Sequence, residues 1–341
     1  MCINEVGGHM VSLNVTKQQA GQKLHNYVLK YLNAAPASFV YKMLRKKNIV
    51  LNDKKAKGDE VLQEGDRITL YLADDTVAKF RNAADCFGRE VQKNNIHLKI
   101  LYQNDDILVV HKPVGVLSQK AKQDDYSINE QIVDYCLANN IVTKQTLLAF
   151  RPSVCNRLDR NTSGIILAGI SMAGSQHLSC ILKSRTVDKY YYTIVNGNLN
   201  QSIHDIAYIS KDKSKNMSKV TKTKTDGFTK IETYFEPLQT INNYTLIKVK
   251  LITGKSHQIR AHLSYLGYPI IGDQRYGDDR INKRLCKEFK LKNQLLHAGL
   301  IIIHKDDFFE EIRINDPFPA QFIKIMDMIG FDYGDMEFER S

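Results

Sequence analysis

Arg157-Leu158-Asp159-Arg160-Asn161-Thr162-Ser163-Gly164-Ile165-Ile166-Leu167 sets one carboxylate between two arginines, then turns through small residues into an apolar run. A carboxylate held by guanidinium groups stays ionised and fixed in direction, as a nucleophilic or electrostatic catalyst requires. Arginines on a basic chain also suit a polyanionic substrate. The octapeptide Arg157–Gly164 could equally be a surface loop with an ordinary Arg–Asp pair, so the rest of the chain decides.

The 341 residues suggest two domains, one with a substantial core. A charged content of 25% is that of an ordinary soluble protein, but the net charge of +11 is unevenly spread. Lys42 to Lys57 holds seven Lys/Arg against Asp53, and Lys211 to Lys224 holds six Lys against Asp212. From Met326 onward the chain is acidic, with Asp327, Asp332, Asp335, Glu337 and Glu339 against Arg340. Two separate basic patches point to nucleic acid, with solvated charge runs as the bland alternative. Six scattered cysteines without a C-x-x-C pair suggest neither zinc nor disulfides, which fits a reducing cytoplasm. No basic-then-apolar leader and no apolar run near 18 residues is present, so secretion and membrane spanning are not expected.

Leu24, Tyr27, Val28, Tyr31 and Leu32 recur at helical spacing, Pro36 ends that helix, and Ser38 is a candidate cap for a second. Val40, Met43 and Leu44 form the apolar face of this second helix, and Lys42, Arg45, Lys46 and Lys47 its polar side. Ile49-Val50-Leu51 and Ile68-Thr69-Leu70-Tyr71-Leu72 read as short strands, whereas Ala73 to His97 loses periodicity and reads as a linker. Further on, Ile100-Leu101-Tyr102 and Ile107-Leu108-Val109-Val110 flank the turn signal Asn104-Asp105-Asp106. Pro113 and Gly115, following Lys112, bend the chain out of the second strand. A helix is expected near residues 173–184 and a strand at Val187–Val195, with Lys189 and Tyr191 on one face and Tyr190 and Tyr192 on the other.

Leu246–Ile252 reads as a strand leading into Thr253-Gly254-Lys255-Ser256-His257-Gln258-Ile259-Arg260-Ala261-His262. Gly254-Lys255-Ser256 ends like a P-loop, but Val249 stands where the required glycine would be, which excludes nucleotide hydrolysis. His257 and His262 lack the spacing and the glutamate of a zinc helix, and adjacent Ser256 and His257 do not make a triad. What remains is a strand-to-helix junction whose first turn, with Lys255 and Arg260, suits a phosphate or a carboxylate. Gly267 ends the helix.

Together these segments resemble the RluA-type family of RNA pseudouridine synthases over about residues 20–320. The likeness is carried by Arg157-Leu158-Asp159-Arg160-x-Thr162-Ser163-Gly164, Lys189-x-Tyr191 and Thr253-Gly254-Lys255-Ser256-His257-Gln258-Ile259-Arg260-x-His262-Leu263. Gly272-Asp273, Tyr276-Gly277 and Leu296-His297-Ala298 extend it. Two positions depart from the common pattern: Asn156 stands where many members have histidine, and Lys255 where they have arginine. Residues 12–73 resemble an S-four-type (alpha-L) RNA-binding domain, and Ser38 to Lys47 looks like the RluC-type branch.

The resemblance implies an α+β fold: a mixed, mainly antiparallel-sheet catalytic domain over residues 99–325, preceded by the small RNA-binding domain. A linker over 74–98 and an acidic tail over 326–341 complete the expected organisation. It implies isomerisation of uridine to pseudouridine in RNA without cofactor or metal, by a cytoplasmic monomer, with large-subunit ribosomal RNA as the expected substrate. Transfer RNA, or a non-catalytic ribosome-assembly role, is the alternative. By analogy Asp159 is the essential carboxylate, Arg260 its ion-pair partner, and Tyr191 the ring near the flipped base and a candidate for proton transfer. Arg157, Arg160, Lys42, Arg45, Lys46, Lys47, Lys189, Lys255, His257 and Gln258 are the expected RNA contacts.

Overall fold

Helical spacing and strand alternation sort residues 10–81 into one small unit of a computed structural model, which describes residues 10–81, 98–122, 124–212 and 217–332. Leu24, Tyr27, Val28 and Tyr31 are the buried face of α1 (Leu24–Tyr31), and Val40, Met43 and Leu44 that of α2 (Ala37–Arg45). The cap of α2 is Pro36 in extended conformation, not Ser38, because proline's fixed φ starts the helix two residues earlier. These helices cover an antiparallel sheet of β1 (Met10–Asn14), β2 (Ile49–Leu51), β3 (Lys54–Lys55) and β4 (Arg67–Tyr71), in the order β1-β4-β2-β3. The stretch expected to be an aperiodic linker instead opens with α3 (Asp74–Phe80), whose Val77 and Phe80 pack into the same small core. Seven residues span only about two turns, too few for a periodic signal to register in sequence. Residues 82–97 of that linker lie outside the described residues, as do 1–9.

The remaining strands form one eleven-stranded sheet, mixed but mainly antiparallel: the fold is α+β. In chain order its elements begin with β5 (Lys99–Gln103), β6 (Ile107–Lys112), α4 (Ile128–Ala138), β7 (Ser153–Val154), β8 (Ser163–Gly169) and α5 (Met172–Ser184). Then come β9 (Val187–Asn196), β10 (Ile203–Asp212), β11 (Met217–Thr221), β12 (Thr229–Ile241), β13 (Tyr244–Leu251) and α6 (Gln258–Tyr265). The chain continues through α7 (Asp279–Phe289), β14 (Leu296–Ile303), β15 (Ile312–Asn315) and α8 (Ala320–Ile329). The main path runs β11-β10-β12-β13-β9-β14-β8-β6-β5.

The centre of this sheet is buried on both faces, which explains the unbroken apolar runs. On β6 and β8, Leu108, Val110, Ile166 and Ala168 join one core with Tyr191, Val249, Ile259 and Leu263. Their alternates Ile107, Val109, Ile165 and Leu167 pack on the other face against Leu178 and Ile181 of α5. On β9 the same parity sends Tyr191 to the first core and Tyr192 to a third, under Phe322 and Met326 of α8. The expected acidic tail therefore starts inside a packed helix: Met326 and Ile329 are buried because they share a helical face with Phe322 and Ile325. Residues 333–341 lie outside the described residues.

One parallel contact interrupts the antiparallel order, and it lies at the end of the opening motif. Ser163 and Gly164 run beside His297 and Ala298. A Cβ on Gly164 would sit 2.3 Å from the Ala298 carbonyl oxygen, and its φ of +122° also excludes larger residues, so only glycine allows this approach. The fully buried His297 ties the junction: Nε2–H donates to the Asp316 carbonyl at 2.9 Å, leaving Nδ1 to accept the Ser163 hydroxyl at 2.9 Å.

Loss of water on burial pulls His297 from 6.5 down to about 4, against the opposing charge of Asp316. The unfolded chain thus binds a proton that the folded one refuses, so this stabilisation is complete above pH 6.5 and lost as pH falls toward 4. Unfolding in urea should show a loss of about 3 kcal/mol across that window, since each tenfold difference in proton affinity is worth about 1.4 kcal/mol. His297→Gln should flatten the dependence; a wild-type stability that stays level from pH 6.5 to 4 would show that His297 is not buried as the neutral base.

Candidate active site

Two braced backbone segments present the carboxylate of the opening motif. After β6 the chain bends at Gly115, whose φ is +88° and whose amide donates to the Arg160 carbonyl at 2.9 Å, while Arg160 Nε donates back to the Gly115 carbonyl at 2.9 Å. Lys112 is fully buried and gives its three ammonium protons to the carbonyls of Pro113, Val116 and Arg160 at 2.8, 2.9 and 3.0 Å. Burial pulls this ammonium down to about 7, with the Asp159 charge opposing. Ser118 Oγ donates to the Leu158 carbonyl and accepts the Leu158 amide, and the Thr162 amide donates to the Asp159 carbonyl. Asn156 spans the foot of β8, donating to the Ile165 carbonyl and accepting the Leu167 amide.

Asp159 keeps a side chain 27% exposed, and its partner is not either flanking arginine. Arg157 and Arg160 are exposed, whereas Arg260 Nη1 reaches Asp159 Oδ2 at 2.8 Å from 101 residues away. The local Arg–Asp–Arg reading thus gives way to a long-range pair, because α6 brings Arg260 under the loop. The guanidinium is nearly buried and forks: Nε and Nη2 bind Asp273 Oδ2 and Oδ1 at 2.7 and 2.9 Å. Asp273 is fully buried and also accepts the Arg275 and Tyr276 amides. Burial opposes the charge on Arg260, but the hydrogen bonds and charges of Asp273 and then Asp159 outweigh it and raise its pKa. Its face lies over the Tyr276 ring at 5.1 Å.

Tyr191, on β9 opposite Val249 and Ala298, is buried beside this cluster. Loss of water, and then the charge of Asp159, pushes its phenol well above the usual value near 10. His257 approaches from the other side with Nε2 3.9 Å from Asp159 Oδ2, and its Nδ1 lies 2.9 Å from the Tyr276 hydroxyl. That hydroxyl also accepts the Ser218 amide at 2.6 Å, so β11 is tied to the site.

The structure gathers Asp159, Tyr191, Arg260 and His257, with exposed Arg157, Arg160 and Lys255 around them. Gln258 is a correction: expected at the RNA, it is 2% exposed and fully used inside the turn. Its Oε1 accepts the Lys255 amide and the Thr253 hydroxyl, while Nε2 donates to Thr233 and the Glu232 carbonyl. That brace also occupies an amide of the turn expected to bind a free anion, and the carboxylate received there is the protein's own Asp159, through Arg260. Lys189 is partly buried, and loss of water, then Arg185, lowers its pKa. Lys42, Arg45, Lys46 and Lys47 are exposed on α2 and just beyond it. Spacing offered no signal for Lys112, Asp273 and Tyr276: each meets Asp159 or Arg260 only through the fold.

Known proteins share this arrangement of segments. A family profile described as RNA pseudouridylate synthase matches residues 106–265, which include Asp159, Tyr191 and Arg260. Proteins named ribosomal large subunit pseudouridine synthase C are similar along nearly the whole chain. That of Haemophilus ducreyi is 29% identical over 318 residues, 92% of this chain and 93% of that protein. That of Vibrio cholerae is 27% identical over 325 residues, 93% and 96% respectively. Among solved structures, Human RNA Pseudouridylate Synthase Domain Containing 4 shares the fold, with a TM-score of 0.55 at 21% identity over 67% of this chain and 92% of that one.

Asp273→Asn should lower stability by about 3 kcal/mol, because it leaves half of a buried guanidinium facing an uncharged partner. Urea denaturation measures this, and a change below about 1 kcal/mol would mean that water reaches the fork. By the matched segment that spans its site and by relatives aligned along its length, the chain is similar to RNA pseudouridylate synthases.

Proposed function

We propose that this chain isomerises specific uridines of large-subunit ribosomal RNA to pseudouridine, with Asp159 as the catalytic carboxylate. The observation that carries the reading is the shared fork: Arg260 spends two donors on buried Asp273 and one on Asp159, which stays partly open to a ligand. A carboxylate aimed in this way suits attack on, or stabilisation of, a ribose C1′ that loses its base. Tyr191, its phenol kept protonated by burial beside Asp159, is the ring against which the extruded base packs. The relatives named for the large ribosomal subunit, aligned over more than nine-tenths of this chain, support the substrate.

Exposed Arg157, Arg160 and Lys255 near the carboxylate suit the phosphates flanking the target. Residues 12–73 serve as an S-four-type RNA-docking domain in this reading, through Lys42, Arg45, Lys46 and Lys47. The protein works as a cytoplasmic monomer. No helix among the described residues is long and apolar enough to cross a membrane.

Pseudouridine mapping of ribosomal and transfer RNA, from cells with and without this gene, tests the substrate. Sites lost only in transfer RNA would overturn the ribosomal assignment and keep the chemistry. With the purified protein, Asp159→Ala should reduce product formation by about 10⁴-fold or more while RNA binding persists. An active Asp159→Ala variant would sink the assigned role. Replacing Lys46 and Lys47 with alanine should weaken RNA binding and flatten its dependence on salt by about one unit of slope for each phosphate no longer neutralised. An unchanged slope would remove this patch from the interface.

A further inference from the structure

Arg280 to Lys292 holds six Lys/Arg against the single acid Glu288, as dense a basic run as Lys211 to Lys224. Helical periodicity sorts these charges onto one side of α7. Asn282 and Leu285 are buried, and Ile281 and Phe289 pack toward the third core. Arg280, Lys283, Arg284, Lys287 and Lys290 are exposed. Arg280, Lys283, Lys287 and Lys290 succeed one another at steps of three or four residues, so they form one stripe along the roughly 16 Å of the helix.

This arrangement works against the helix that carries it. Lys283 and Lys287, like Arg280 and Arg284, are like charges four residues apart, and such pairs repel. Arg280 also stands in the first turn, where the helix end favours an anion. Elsewhere lysines are neutralised locally: Lys17 by Asp105, Lys250 by Asp188 and Lys305 by Glu310. Among the described residues, the side chains of Arg280, Lys283, Lys287 and Lys290 have no such carboxylate, and Arg284 donates to the Tyr244 hydroxyl. An uncompensated row of cations is stabilised by a polyanion that spans it, and the phosphodiester chain of RNA supplies one charge per nucleotide.

The helix is also fixed to the fork that holds Asp159. Asn282 Oδ1 accepts the Gly272 amide at 2.7 Å, and its Nδ2 donates to the Asp273 carbonyl at 2.8 Å. The first turn of α7 is thereby locked to the residue whose carboxylate secures Arg260. Gly277 closes the junction, since a Cβ there would lie 2.4 Å from the Asp273 carbonyl oxygen. Between fork and helix stands exposed Arg275, whose charge is felt by His257 beside Asp159. Positive charge thus continues from the candidate site past Arg275 onto α7, passing from the Tyr191 face of the sheet to the Tyr192 face.

We propose that α7 is a further RNA-binding surface, holding the phosphates of RNA that leaves the site past Arg275. The assignment rests on the RNA-isomerase reading above and adds a contact on the far face of the sheet. Phosphate contacts of this kind fix where RNA lies without reading its bases. A large structured RNA reaches both the site and α7, whereas a short stem-loop fills the site alone.

The test is RNA affinity as a function of salt for the full chain, with a large-subunit ribosomal RNA transcript and with a short stem-loop carrying only the mapped uridine. Replacing Arg280, Lys283 and Lys287 together with alanine should weaken binding of the transcript. Its salt slope should fall by about two to three units, at about 0.7–0.9 for each phosphate no longer neutralised. Binding of the stem-loop should not change. The melting temperature should hold or rise, because alanine suits a helix and the repelling charges are gone. Lys283→Arg with Lys287→Arg should bind the transcript as the wild type does. Unchanged transcript affinity and slope in the alanine variant, as a surface for an acidic protein would give, would overturn the proposal. An equal loss on both RNAs would do so too, as would a loss that comes with a lower melting temperature. A wild-type chain that binds the transcript no more tightly than the stem-loop counts against it equally. If the wild type shows the expected binding but forms no pseudouridine, the isomerase reading fails and this surface stands, so the two failures are distinguishable.

Discussion

One guanidinium shared by two carboxylates organises this protein. Taking the charge of Arg260 out of water is costly, and only close, well-aligned partners offset it. Asp273 supplies them on one side, with both oxygens bound to the fork and two backbone amides holding the carboxylate. Asp159 supplies the other side and remains partly exposed. One carboxylate thus belongs wholly to the protein, and the other is available to a ligand while its direction is set from below.

The rest of the architecture keeps that arrangement in register. The helix α6 is braced by Gln258 at its start and by His262 one turn on, whose Nε2 meets Asp205 at 2.6 Å and whose Nδ1 meets Thr233. The Asp159 loop hangs from the Lys112 ammonium and from reciprocal bonds between Gly115 and Arg160. Both meet on a sheet packed from two sides, where a shift of one residue would exchange the faces of every side chain. Gly164 against Ala298 allows no other residue at the junction. A rigid frame of this kind suits a reaction in which the base moves and the carboxylate does not.

The outline of the site was legible in sequence, and the reasons differ by residue. Asp159, Tyr191 and Arg260 sit in segments whose motifs and resemblance could be read directly. Parity along β9 separated Tyr191 from Tyr192, as the two cores bear out. Lys112 reads as an ordinary charged residue after a strand, yet it is fully buried, because three carbonyls converge on its nitrogen only once two loops meet. Gln258 reads as a polar residue in a polar turn, yet its amide closes that turn from inside. The helix Asp74–Phe80 left no periodic trace because its burial comes from the small core rather than from its own pattern.

By itself the sequence determined the local elements, the faces they bury, the basic patches and the segments that carry the chemistry, since spacing and charge act between near neighbours. Which arginine holds Asp159, which carboxylate secures that arginine, and which way His257 points were decided only by tertiary structure. Those contacts join residues 13 to more than 100 positions apart, brought together by helices and strands that pack for other reasons. No short-range pattern encodes such a meeting. The energy of the ion pair exists only after burial removes the water that would otherwise screen it.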